Sequence, residues 1–372
     1  MKSVEPKSEI ALKAMVLLTM AALLAGCGGG TSNSGGTNTG GSSGGGTAAL
    51  SPASSFYIVE QYLPPEPSKI LQFSRTANGS VAPASTITGP PGAGFTALAV
   101  DGLGNLYVGG QEFSGSTEIG PEIWVYAPGA IGTPTPSQTI TAGLQSPSAN
   151  SISAMAVDNA QNLYAVTAVA LGSGPTGRVY TGIAVYAPAA NGKLAPIKSI
   201  VGPATEISNN PDQIATDSAG NLYVASGSTA TGPGSVVIFS SSATGNMPPT
   251  SALTGPNTTI GYAQGVALDS AGNIYVSSAA QLPQSVEDGA PSILKFSAGS
   301  TGNVAPILTI SGSATAMDNN IGNLRVDSAG NIYVVSGSAI LRFAPGATGN
   351  VAPAATISSS AFFGTGGPIA VQ

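Results

Sequence analysis

Apolar residues in this chain come as short runs, such as Leu98-Ala-Val100, Tyr223-Val-Ala225 and Val266-Ala-Leu268, bounded by Gly, Asn, Asp or Ser. Runs this short, punctuated by turn residues, predict β-strands joined by tight turns. A helical solenoid would instead carry a 3.6-residue period.

The runs form a repeat. One block recurs five times: Asp101-Gly-Leu-Gly-Asn-Leu-Tyr107, Asp158-Asn-Ala-Gln-Asn-Leu-Tyr164, Asp217-Ser-Ala-Gly-Asn-Leu-Tyr223, Asp269-Ser-Ala-Gly-Asn-Ile-Tyr275 and Asp327-Ser-Ala-Gly-Asn-Ile-Tyr333. Successive aspartates are 57, 59, 52 and 58 residues apart. One apolar strand (A) precedes each block and another (B) follows it. Asp accepts backbone N–H bonds, and Gly and Asn tolerate positive φ, so the block is the turn of a hairpin. A third strand (C) ends on an aromatic in every repeat, at Phe73, Tyr126, Tyr186, Phe239, Phe296 and Phe343. A Gly-containing turn and a proline follow, as in Thr348-Gly-Asn350 and Pro353. Then comes a Thr/Ile-rich strand (D), such as Thr86-Ile-Thr88 or Thr139-Ile-Thr141. Four strands in each repeat of about fifty residues is the pattern of a propeller blade.

The ends of the chain give the blade count. Strand C occurs six times and the complete A–B hairpin five. Phe56-Tyr-Ile-Val59 matches strand B, and Ile369-Ala-Val-Gln372 matches strand A with Gln372 in place of Asp. The expected fold is all-β: a six-bladed β-propeller over 51–372, four antiparallel strands per blade, closed by the C-terminal strand joining the N-terminal blade. An open ring would expose the edges and faces of its end blades. The block resembles the NHL repeat and related bacterial propeller repeats, whose core reads Val-Asp-x-x-Gly-Asn-x-Tyr-Val. That resemblance spans 56–372 and implies the architecture but no single activity. The acidic residue that often follows strand B in such repeats is absent, leaving Tyr107-Val-Gly-Gly, Tyr223-Val-Ala-Ser and Tyr333-Val-Val-Ser.

The first residues read as an address. Lys2, Lys7 and Lys13 precede an apolar stretch from Ala14 to Ala25 that ends in Leu24-Ala-Gly-Cys27, the layout of a secretory signal. The ending resembles the lipobox of bacterial lipoproteins. That resemblance implies cleavage before Cys27 and acylation of its thiol and new amine, which together anchor a chain firmly. Gly28 stands where inner-membrane retention signals often carry Asp, so an outer-membrane or cell-surface destination is expected. Residues 27–50 are the expected linker: from Gly28 to Ala49 the chain is Gly, Ser, Thr and Asn with a little Ala, too polar to fold alone, which predicts a flexible tether spanning roughly 25 Å.

Composition narrows the chemistry. The chain has no histidine, and Cys27 is its one cysteine, which excludes an internal disulfide and removes the commonest metal ligand and general base. The net charge is −6, and losing residues 1–26 removes three lysines and two glutamates, leaving −7. An acidic chain without a Lys/Arg cluster does not suit nucleic acid.

Candidate chemistry sits where the repeat breaks. The B–C connections vary in length, from about a dozen residues near Gln111–Glu122 and Ala279–Ser292 to the near-minimal Gly337-Ser-Ala339. On the same face, polar residues gather at the mouths of strand A: Asn150, Asn209, Asn210, Asp212, Gln213, Tyr262, Gln264, Asp318, Asn319, Asn320 and Asn323. They could hold a glycan, a small polar ligand or a hard cation such as Ca²⁺, or be hydrated loop polarity. Two residues before the Asp, strand A carries Ala99, Ala156, Ala215, Ala267 and Ala370, but Arg325 in the sixth repeat. A guanidinium there needs a partner or an opening to water, with Asp318 and Asp212 as candidate acids. It serves as a ligand anchor or as a plug for the channel. The repeated aspartates read as turn caps, the strand-B tyrosines as blade packing with a local hydroxyl partner, and Trp124 as core.

The expected function is a monomeric, envelope-tethered, non-catalytic binding module, bound to the membrane through Cys27 and to a protein, glycan or small polar ligand. No catalytic residue or resident cofactor is expected. The alternatives are a structural envelope component and a His-free metal-dependent hydrolase. The latter would resemble lactonase propellers, which hold a divalent metal with Asp, Glu and Asn.

Overall fold

The fold comes from a computed structural model describing residues 50–61, 66–114, 117–141, 152–171, 178–208, 211, 213–227, 234–279, 290–359 and 367–372. The expected leader, Cys27 and nearly all of the tether lie outside them.

Among the described residues twenty-five strands follow one another with short 3₁₀ turns between some. They are β1 (Ser55–Glu60), β2 (Lys69–Ser74), β3 (Gly79–Ser80), β4 (Ser85–Thr88), β5 (Ala93–Val100), β6 (Leu106–Ser114), β7 (Thr117–Tyr126) and β8 (Gln138–Ile140). Next come β9 (Ile152–Val157), β10 (Leu163–Leu171), β11 (Arg178–Tyr186), β12 (Lys198–Val201), β13 (Ile214–Thr216), β14 (Leu222–Ser226), β15 (Ser235–Phe239) and β16 (Ser251–Leu253). The last are β17 (Tyr262–Leu268), β18 (Ile274–Ala279), β19 (Ser292–Phe296), β20 (Leu308–Ser311), β21 (Ile321–Val326), β22 (Ile332–Ser336), β23 (Ala339–Phe343), β24 (Ala355–Ser358) and β25 (Ile369–Val371).

They form six antiparallel blades: β25-β1-β2-β4, then β5 to β8, β9 to β12, β13 to β16, β17 to β20 and β21 to β24. The molecule is a six-bladed β-propeller. Both faces of each blade lie against neighbours, which is why the middle strands read as apolar runs instead of alternating. Every residue of β1, β14, β18 and β22 is buried. The core is accordingly divided into clusters between blades. The cluster between sixth and first stacks Phe56 on Phe73 with ring centroids 5.3 Å apart, and Phe56 against Tyr333 at 5.8 Å.

The ring closes as the half-repeats imply. Strand β25 pairs antiparallel with β1 in the register Phe56↔Val371, Tyr57↔Ala370, Ile58↔Ile369. A second closure, on the outer rim, is absent from the sequence reading. The turn between a blade's third and fourth strands swings onto the outer edge of the preceding blade and makes a parallel bridge there: Ile87↔Gly132, Ile140↔Gly192, Ile200↔Gly245, Leu253↔Gly302 and Ile310↔Gly349. The sixth is Ile357↔Gly79, where β3 joins β24. The asparagine beside the glycine reaches further. Asn246, Asn303 and Asn350 accept from the backbone N–H groups of Ala204, Asn257 and Ala314 at 2.7–2.8 Å. Those N–H groups belong to the 3₁₀ turns Pro203–Thr205, Pro256–Thr258 and Ser313–Thr315. Each turn opens on a positive-φ glycine, and a Cβ on Gly255 (φ +116) would stand 2.6 Å from the Asn303 oxygen. The exposed edge of every fourth strand is thus partly covered by its neighbour.

Removing residues 369–372 deletes the innermost strand of the first blade and uncovers Phe56 and Tyr57. Size-exclusion chromatography and thermal unfolding of that truncation should show aggregation or a large loss of melting temperature.

Candidate functional site

The repeated aspartates are capping groups. Asp101 Oδ1 accepts the N–H groups of Leu103 and Asn105 at 2.9 Å, while Oδ2 takes the Asn105 side-chain amide at 2.8 Å and the Tyr107 hydroxyl at 3.3 Å. Asp217, Asp269 and Asp327 do the same for their own Asn and Tyr. Asp158 does so for Asn162 and Tyr164. Burial and then the nearby carboxylate push Tyr107 and Tyr164 up to about 12. Where Gln372 replaces Asp, Tyr57 takes its hydrogen bond from the Gln72 amide at 3.2 Å instead. One turn is strained: Gln161 holds φ 64 where the other four blocks place glycine at 78–89.

Near the axis, antiparallel pairing fixes which peptide groups face the channel. Each block's Asp donates its N–H to its Asn carbonyl at 3.0–3.1 Å, so it sits at a hydrogen-bonded pair. By alternation, the residues one and three before it turn N–H and C=O toward the axis. Two side chains answer these groups at Leu324. The Gln213 amide donates to its carbonyl at 2.6 Å, and the Gln213 oxygen accepts its N–H at 3.0 Å. Gln213 therefore reaches from the fourth blade to the sixth, past Gly265 of the fifth, where a Cβ would lie 2.5 Å from the Gln213 oxygen.

Arg325 lines a channel cavity of about 210 Å³ with Ala99, Ala156, Ala215, Ala267 and Val371 of other blades. Its Nη1 donates to the Leu324 carbonyl at 3.1 Å, and burial pulls its pKa down to about 10. Among the described residues no carboxylate pairs with it: the ion pairs are Arg75–Asp327 at 3.8 Å and Lys295–Asp269 at 3.4 Å.

The sequence-derived mouth residues are not gathered into one cluster by the described structure. Asn150, Asn209, Asn210 and Asp212 lie outside the described residues. Gln213 is spent on Leu324. Asp318 is exposed and accepts from the Ser336 hydroxyl at 3.2 Å and the Asn320 N–H at 2.9 Å. Asn319 and Asn320 are exposed with it, whereas Asn323 is buried. Tyr262 and Gln264 are half-buried, and Gln264 sits at the bulge of β17 between Ala263 and Gly265. Among the described residues no three acidic or cysteine side chains group as metal ligands.

What the sequence reading took as a long loop at Gln111–Glu122 is a raised hairpin. Strands β6 and β7 pair through Gly110↔Glu122 and Glu112↔Gly120 to Ser114↔Thr117, backbone pairing that continues past the glycines without an apolar pattern. The third blade rises likewise through β10 and β11, whose pairing runs to Leu171↔Arg178. The sixth blade turns after only Gly337 and Ser338. On the second-blade hairpin, burial, then the Glu112 charge, raises Glu122 from 4.5 to about 7, against the opposing Trp124 hydrogen bond. Trp124 itself is core, 5.3 Å from Phe95 between ring centroids.

Comparison with known proteins adds the fold and no family. No family model and no curated sequence matches. A protein of unknown function from Bacteroides caccae is similar in structure, with a TM-score of 0.53 at 10% identity over 85% of this chain and 97% of that one. Hydrazine synthase of Kuenenia stuttgartiensis (TM-score 0.48, 12% identity) covers 82% of this chain and 80% of its own. The PQQ-bound aldose sugar dehydrogenase of Streptomyces coelicolor (TM-score 0.40, 14% identity) covers 79% and 85%.

The turn network gives two expected outcomes in thermal or denaturant unfolding. Asp158→Ala orphans the Asn162 and Tyr164 donors and should cost on the order of 3 kcal/mol. Gln161→Gly relieves the left-handed residue and should stabilise by about 1 kcal/mol. Glu122 adds a pH signature. Its proton is held more tightly folded than unfolded, so stability should fall as pH rises from 4.5 to about 7 and stay level above that. Glu122→Gln should flatten that decline and raise stability at pH 8 by about 1 kcal/mol, allowing for solvent screening.

Proposed function

We propose that this protein is a non-catalytic binding module, held at the cell envelope through a lipid on Cys27, that offers the B–C face of its ring to a partner. The observation that carries the reading is the unevenness of that face. Among the described residues the hairpins of the second and third blades are extended, while the sixth blade turns in two residues, so the blades contribute unequally to this face. The second-blade hairpin presents Ile119, 61% exposed, beside the half-buried Glu112 and Glu122. An exposed apolar residue next to polar groups at a rim suits a protein or glycan partner. The A–B face differs: its five repeated carboxylates are occupied by their own turns, which supports a structural role for them.

The test has two arms. Labelled palmitate should enter the wild-type chain and not Cys27→Ser, and the protein should fractionate with the outer membrane. The full chain carrying Cys27→Ser, immobilised, should retain protein or polysaccharide from an envelope extract. Shortening the β6–β7 hairpin to a two-residue turn between Gln111 and Ile123 should weaken that retention at least tenfold. Equal retention by both chains would sink the binding face. Ca²⁺-dependent hydrolysis of a lactone by the wild type would replace the reading with the hydrolase.

A further inference from the structure

Five blades place alanine at the same position of the innermost strand, and the sixth places Arg325 there. The consequence is a cation in a channel lined by alanine side chains and by the peptide groups of the inner strands. The cavity beside it is bounded by Ala99, Ala156, Ala215 and Ala267, with the Thr216 hydroxyl already given to the Val157 carbonyl at 3.3 Å. A guanidinium offers five N–H donors, and among the described residues one acceptor is present, the Leu324 carbonyl. That carbonyl is shared with Gln213 at 2.6 Å, so even this bond is divided. Asp327, the described acid nearest in sequence, pairs with Arg75 and caps its own turn, and Asp318 is held by Ser336 and Asn320. Arg325 keeps part of its surface open to the channel, and a guanidinium with a single protein acceptor there leaves donors for an anion to complete.

We propose that this channel cavity binds the carboxylate group of a small organic acid, clamped by the Arg325 guanidinium. The planar fork of arginine matches a carboxylate through two parallel hydrogen bonds. Val100, Val157 and Val326 line the same cavity and turn both N–H and C=O toward the axis, so their N–H groups add donors for the anion while the carbonyls stay with protein donors, as that of Val157 does with Thr216. The alanine and valine side chains suit a short alkyl tail. At about 210 Å³ the space equals roughly seven water molecules, which admits an acid of acetate or propanoate size. The site is separate from the B–C face and from the anchor, so it stands or falls independently of both.

The experiment uses the full chain carrying Cys27→Ser, titrated with sodium propanoate against sodium chloride at equal ionic strength and followed by thermal unfolding and calorimetry. Propanoate should raise the melting temperature saturably by roughly 3 °C, and chloride should not. Arg325→Ala should fold, since alanine fills the equivalent place in the other blades, and should lose the saturable shift. Arg325→Lys keeps the charge without the fork and should weaken binding at least tenfold. No saturable shift in the parent chain, or the same shift in Arg325→Ala, would overturn the site. Saturation by inorganic phosphate with equal or greater affinity would overturn the carboxylate assignment.

Discussion

A blade of this protein cannot be stable alone, because both of its faces are apolar. The strands β1, β14, β18 and β22 have no solvent side at all. Each blade therefore needs two neighbours, and a row of blades leaves two faces uncovered unless it closes. That constraint explains why the chain gives its first blade a strand from its far end. Three backbone pairs between β1 and β25 join sequence positions more than three hundred residues apart, and the Phe56–Phe73–Tyr333 contact seals the joint. The loop-closure entropy of so distant a pairing grows only logarithmically with length, whereas the apolar area covered is that of a whole blade face.

Closure in the centre would still leave six outer edges. The rim bridges deal with them by the same economy, using turn residues that must be somewhere in any case. A glycine in positive φ lets the turn lie flat on the neighbour's fourth strand, and the adjacent asparagine oxygen caps a peptide N–H of the next turn. The repeat is thus bonded to its neighbours at both radii. Drift in any one turn is resisted by the blade before it.

How much of this was legible depended on how local the chemistry is. The Asp-Asn-Tyr turn was readable because all its bonds fall within six residues. The blade count was readable because half-repeats stood at opposite ends. The rim bridges were not, although Thr-Gly-Asn is plain in the sequence, because nothing local says which neighbour a turn meets. The raised hairpin reads as a loop in the sequence because Gly109, Gly110, Gly120 and Pro121 interrupt the apolar pattern, while backbone pairing needs no apolar side chain. Gln213 was grouped with the mouth polarity because its partner, Leu324, is 111 residues away in a blade that is not adjacent.

The internal symmetry also determines which departures carry meaning. A repeated residue sees the same neighbours in blade after blade, so its role is met by the blade itself, as with Tyr107 in all six and Asp101 in five. A residue present once must be accommodated by one blade against five that lack it. At Gln372 the accommodation is visible: the Tyr57 hydroxyl, which elsewhere donates to the aspartate, accepts from the Gln72 amide, and Gln372 donates its own amide to the Gly102 carbonyl of the second blade. At Gly265 it is visible again, as the missing side chain that lets Gln213 pass. At Arg325 the described residues supply one shared carbonyl for five donors and no charge. The two compensated departures are details of how the ring is built. The uncompensated one sits where the six blades meet, and an anion from outside the chain would balance it.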